Sequence, residues 1–93
     1  LENKQEILKH LLKKDMVYFS QLYAQYEKLL RNVALKLTGS EFRSDNLLSL
    51  TFQNLWESPS KFKDSDDKSI STFLMKQLIY NYLYLQRVEG RRN

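Results

Sequence analysis

Apolar residues recur along this chain at intervals of three and four, and no stretch alternates with a period of two. The pattern predicts helices and no strands. In the first run, Glu2 to Lys14, the spacing of Ile7, Leu8, Leu11 and Leu12 predicts a short amphipathic helix. Asp15 is placed to cap the next helix, since its carboxylate can accept a free backbone N–H. That helix is expected from about Met16 to Thr38, the strongest periodic signal in the chain. Phe19, Leu22, Tyr23, Tyr26, Leu29, Leu30, Val33 and Leu37 form its stripe, and Gly39 fits a C-terminal cap.

A third helix is expected from Glu41 or Ser44 to about Trp56, with Leu47, Leu48, Leu50, Phe52, Leu55 and Trp56 on its apolar side. Ser58-Pro59-Ser60 ends it, because proline cannot donate the next helical hydrogen bond. Pro59 to Ser69 reads as a polar loop. The last helix, Ile70 to Val88, carries Phe73, Leu74, Leu78, Ile79, Tyr82, Leu83 and Leu85 around much of its circumference. It is expected to be the most buried. The predicted fold is all-α, a compact three- to four-helix bundle around one core. Residues 1–14 form a leading amphipathic helix and residues 15–93 the main domain.

Composition narrows the chemistry. The 93 residues suit one small domain. The absence of cysteine excludes disulfide scaffolds, thiolate metal sites and cysteine nucleophiles. A single histidine, His10, excludes a multi-histidine zinc site, and it is expected on the exposed side of the first helix. No phosphate-binding glycine loop, nucleophile elbow or HExxH motif occurs, so no enzyme is expected. Asp64, Asp66 and Asp67 look like part of a calcium loop but lack its central Gly and final Glu. A solvated loop is expected there, and no metal site. No apolar run approaches the roughly 20 residues of a membrane span. The start of the chain is charged, without the form of a signal peptide, so the cytosol is the expected compartment.

Charge is uneven. Residues 1–67 carry ten basic and ten acidic side chains. Residues 68–93 carry five basic residues, Lys68, Lys76, Arg87, Arg91 and Arg92, against Glu89 alone. The net charge of +4 therefore sits in the last quarter of the chain. Such an excess attracts polyanions and is the footprint expected of a nucleic-acid binder; the other reading of it is a solvated, frayed C-terminus. Phe62 lies between Lys61 and Lys63. Tyr80, Tyr84, Arg87 and Arg91 recur at intervals of three and four, so one helical face can hold them. Asn81 offers an amide for a base edge. Each has a second reading. Phe62 can plug the loop onto the core, Tyr82 can be core, and Tyr80 and Tyr84 can be half-buried. Lys61 and Lys63 can pair with the three aspartates.

Two stretches match a family. Phe19-Ser20-Gln21-Leu22-Tyr23-Ala24-Gln25-Tyr26, continuing through Leu29, Val33, Ala34 and Leu37 to Thr38-Gly39, resembles F-x-x-L-Y-x-x-Y…L…A…L-T-G. Ser44 to Trp56 is similar, without a gap, to A-E-D-L-V-Q-E-V-F-x-x-L-W. Phe73-Leu74 stands where Trp-Leu is usual, and Gly90-Arg91-Arg92 gives a basic finish. Over roughly residues 15–92 the chain resembles region 2 of bacterial RNA polymerase sigma factors, especially the extracytoplasmic-function type.

The resemblance implies a transcription initiation domain. It implies docking on the β′ clamp of core RNA polymerase through Asp45, Asn46, Ser49, Leu50 and Gln53. It further implies recognition and melting of the −10 promoter element, with capture of its non-template strand. Lys61, Phe62, Lys63, Lys76, Tyr80, Asn81, Tyr84, Arg87, Arg91 and Arg92 are the residues implied for DNA. No cofactor and no membrane partner is implied. The departures lie at polar positions. The family's acidic-polar E-D…Q-E set reads Asp45, Asn46, Ser49 and Leu50 here, and Tyr80 and Tyr84 fall on the family's Asn and Asp. They leave open a degenerate sigma-like module that binds an anti-sigma factor or a second sigma subunit. No counterpart of region 4 is visible, so either a trimmed chain or a factor with region 2 alone is expected.

Overall fold

The computed structural model describes residues 3–90. Five helices follow one another: α1 (Lys4–Leu12), α2 (Met16–Thr38), α3 (Glu41–Glu57), α4 (Pro59–Asp64) and α5 (Ile70–Gly90). Their ends are set by local chemistry. Asn3 accepts the Glu6 N–H at 2.8 Å and Asp15 accepts that of Tyr18 at 3.1 Å, each satisfying a donor that the helix cannot. Gly39 closes α2 in the left-handed conformation, φ 67°, and donates its N–H to the Leu35 carbonyl. Ser40 then caps α3 through the Arg43 N–H. The buried Ser44 hydroxyl lies 2.9 Å from that of Thr38, which ties the end of α2 to the start of α3.

The core is built on α3. Its buried Leu47, Leu48, Phe52 and Leu55 meet Leu22, Leu30 and Ala34 of α2 on one side, and Phe73, Leu74 and Leu78 of α5 on another. Burying side chains of this size stabilises by about 1.5–3 kcal/mol each relative to exposure. A ring cluster of Phe19, Tyr23, Phe52 and Trp56 seals α2 onto α3, with centroids 4.5 to 6.3 Å apart. The leading helix belongs to the same core: Ile7, Leu8 and Leu11 are buried, and α1 packs on both α2 and α4.

Four sequence expectations change. Pro59 ends α3 as expected, but the polar loop foreseen from it begins instead as α4. Proline at the first helical position loses no intrahelical bond, and Pro59 and Phe62 bury one side of the short helix. Leu29, assigned to the buried stripe of α2, is 48% exposed. The last helix is not the most buried. Ile70, Phe73, Leu74 and Leu78 are buried near its start, whereas Ile79, Tyr80, Leu83 and Tyr84 face outward. Beyond Leu78, Tyr82 and Leu85 pack against the core from a partly buried position. His10 is engaged rather than simply exposed. Its ring stacks on Tyr18 at 4.0 Å, with Nδ1 3.0 Å from Asp15 Oδ2 and Nε2 3.4 Å from Glu6 Oε1.

Candidate nucleic-acid interface

The outer face of α5 brings four of the expected DNA residues together. Lys76, Tyr80, Tyr84 and Arg87 lie within one helical side, and all are exposed, both tyrosines at 59%. The half-buried reading of the two rings is set aside by that exposure. Arg43 of α3 pairs with Glu89 at 3.3 Å and braces the far end of α5. Lys61 and Lys63 stand exposed on α4 and make no ion pair among the described residues, so the three aspartates do not neutralise them.

Three expected DNA residues are already occupied by the protein. Phe62 is wholly buried, its ring 5.0 Å from that of Phe73. It cannot stack on a base. Within a short helix Lys61 and Lys63 turn to other sides, so the cations flanking it point to solvent while the ring points to the core. Asn81 also turns inward. Its amide nitrogen donates to Thr51 Oγ1 at 3.1 Å and to Asn54 Oδ1 at 3.0 Å, which places it against α3 rather than a base edge. Lys76 reaches Asp67, with 2.7 Å between Nζ and Oδ1. That hydrogen bond, then the carboxylate's charge, raises the lysine pKa. Lys76 therefore faces outward with its charge already paired. Arg91 and Arg92 lie outside the described residues.

The outer face of α3 is a second, separate surface. Asp45, Asn46, Ser49 and Gln53 are exposed and Leu50 is half-buried, at spacings that keep them on one side. Arg31 of α2 donates to Asp45 and also to Glu27, the latter at 3.0 and 3.1 Å. Asp45 first and Glu27 second raise the Arg31 pKa above its already high value. The one acid of this face is thus paired from within. Gln53 is drawn toward Glu57 at 3.2 Å.

Sequence reasoning missed Arg31, Phe42 and Lys4. Phe42 opens the α3 face at 74% exposure. Its signal was an aromatic on the polar side of a helix. Arg31 was foreshadowed by Glu27 at i,i+4, but its bond to Asp45 is tertiary. Lys4 reaches the loop between α4 and α5, to the carbonyls of Ser65 and Asp67. Among the described residues no three His, Cys, Asp or Glu gather as a metal site. No helix there is long and apolar enough to cross a membrane.

The fold and the two faces converge with a family comparison. The model of sigma-70 region 2 matches residues 22–88. The chain belongs to that family, a helical, non-enzymatic domain of transcription initiation factors that takes part in RNA polymerase binding and promoter recognition. No curated protein and no solved structure matches the chain.

Proposed function

We propose that this domain docks on the β′ clamp of core RNA polymerase through the outer face of α3. The exposed face of α5, with Lys61 and Lys63 of α4, then takes the melted non-template strand of a −10 promoter element. In this reading the domain is of the extracytoplasmic-function type and works in the bacterial cytoplasm. Residues 15–93 form its region 2 and residues 1–14 a leading helix. The observation that carries the reading is the pair Tyr80 and Tyr84, one turn apart and both 59% exposed, on a helix whose last turn carries Arg87. Rings held in water stack on unpaired bases while the cations offset phosphate charge.

A second reading has its own support. Asp45 is engaged by Arg31, and Phe42 is the most exposed large apolar side chain among the described residues. Both favour a protein partner such as an anti-sigma factor on the α3 face.

Titration with core polymerase, or with its isolated β′ clamp helices, separates the two. The first reading expects saturable binding at about micromolar affinity or tighter, lost when Asn46→Arg and Ser49→Arg are combined. Absence of binding by the folded chain overturns polymerase docking and leaves the second reading.

A further inference from the structure

The segment 65–69 joins α4 to α5, and it is polar throughout: Ser65, Asp66, Asp67, Lys68, Ser69. A linker of this composition has little apolar surface to hold it, so its order must come from hydrogen bonds. Local bonds, such as that from the Ser65 hydroxyl to the Phe62 carbonyl at 2.7 Å, are joined by a group 61 and 63 residues away in sequence. Lys4 Nζ donates to the carbonyls of Ser65 and Asp67, both at 2.9 Å. The same ammonium sits 4.7 Å from the centre of the buried Phe62 ring. Lys4 is only partly exposed, so water competes weakly for these contacts. On the other side, Asp67 is held by Lys76 of α5. The linker is therefore fixed through its backbone by α1, and by α5 through Asp67 and Ser69, whose carbonyl accepts the Phe73 N–H and whose hydroxyl meets that of Ser71.

We infer that Lys4 is a positioning residue for DNA binding: through Ser65 and Asp67 it presets the linker that joins α4, with its Lys61 and Lys63, to α5, with its tyrosine face. The inference rests on the proposed reading of α4 and α5 as the DNA surface. Lys4 and the whole of α1 lie outside residues 22–88, the span that the family model matches. The effect of Lys4 is preorganisation. A linker ordered before DNA arrives need not be ordered by it, and affinity rises by the cost avoided. A lysine suits the role because its three donors serve two carbonyls at once while the ammonium stays over the ring.

The test compares the full chain with Lys4→Met, Lys4→Gln and Lys4→Arg, using a single-stranded −10-like oligonucleotide and, separately, the polymerase clamp helices. Lys4→Met is expected to bind the oligonucleotide about five- to tenfold more weakly with clamp binding unchanged. Lys4→Arg, which keeps charge and donors, should restore most of the loss. Amide exchange should speed up at Ser65, whose N–H bonds the Phe62 carbonyl, and at Phe73, whose N–H bonds the Ser69 carbonyl. Amides of α2 and α3 should keep their protection. If Lys4→Met does not fold, Lys4→Gln carries the same expectations. Oligonucleotide binding within twofold of the parent overturns the inference alone. So does faster exchange throughout the chain with an equal loss at the clamp, which would make Lys4 a general brace. An unmodified chain that binds no oligonucleotide overturns the DNA reading itself, and the role of Lys4 with it.

Discussion

The inner and outer sides of the α4–α5 unit carry similar residues and behave differently. At the linker and on the inner side, Phe62, Lys76 and Asn81 each have a partner inside the protein: Phe73, Asp67, and the pair Thr51 and Asn54. Along the outer side of α5, Tyr80, Tyr84 and Arg87 face water. Aromatics and cations at helical spacing nominate a site equally well on both sides. What decides is whether another part of the chain reaches the group first. The linker reaches Lys76, and α3 packs along the inner side of α5 as far as the Arg43–Glu89 pair and takes Asn81. Asn81 lies between Tyr80 and Tyr84 in sequence, so the side of the helix and not its end separates them. The inner side is a scaffold, the outer a contact surface.

The contrast can be broken by substitution. The largest effect is expected from Phe62→Ala. Removing a fully buried ring should cost about 3–5 kcal/mol in urea unfolding, while DNA affinity per folded molecule stays unchanged. A loss under about 1 kcal/mol, with a marked fall in DNA affinity, would return Phe62 to the contact surface. Tyr84→Ala should do the opposite. Anisotropy titration should show about 1–3 kcal/mol lost from single-strand binding, with stability within about 0.5 kcal/mol of the parent. Unchanged binding would make the ring a bystander. The smallest effect tests the scaffold at its other extreme, the α1–α2 corner. The Tyr18 backbone N–H, then the His10 ring, hold the Asp15 carboxyl below the usual aspartate range. The folded state thus favours the ionised form, so the contribution is complete above that range and disappears as pH falls through the depressed value. The thermal advantage of the parent over Asp15→Asn should be full at neutral pH and fade in acid. A difference independent of pH would assign Asp15 to shape alone.

What was legible in the sequence was local. The cap at Asp15, the stop at Gly39 and the face shared by Tyr80, Tyr84 and Arg87 all follow from spacings of a few residues, and the structure has each of them. The helix α4 was hidden because Pro59 signals an end and a beginning alike. The spacing of Pro59 and Phe62, three apart, was the cue that one side of this segment is buried. Flanking lysines made Phe62 look wet, although neighbours in a helix point to different sides. Asn81 was beyond local reading altogether. Its partners are 30 and 27 residues away, and only the packing of α5 on α3 brings them near. The charge map misled in the same way at Lys76, because a count of charges does not say which are already paired.

Trp56 gives the α1–α2 corner a further property. It is the sole tryptophan of the chain. It lies half-buried against Phe19, beneath the Lys14 ammonium, which also donates to its carbonyl. Lys14 itself is held in the left-handed backbone region at φ 57°, so the indole senses the one strained turn among the described residues. The protein therefore carries a built-in optical reporter at the junction of α1, α2 and α3. Its emission should move to longer wavelength when that corner opens, with no label attached.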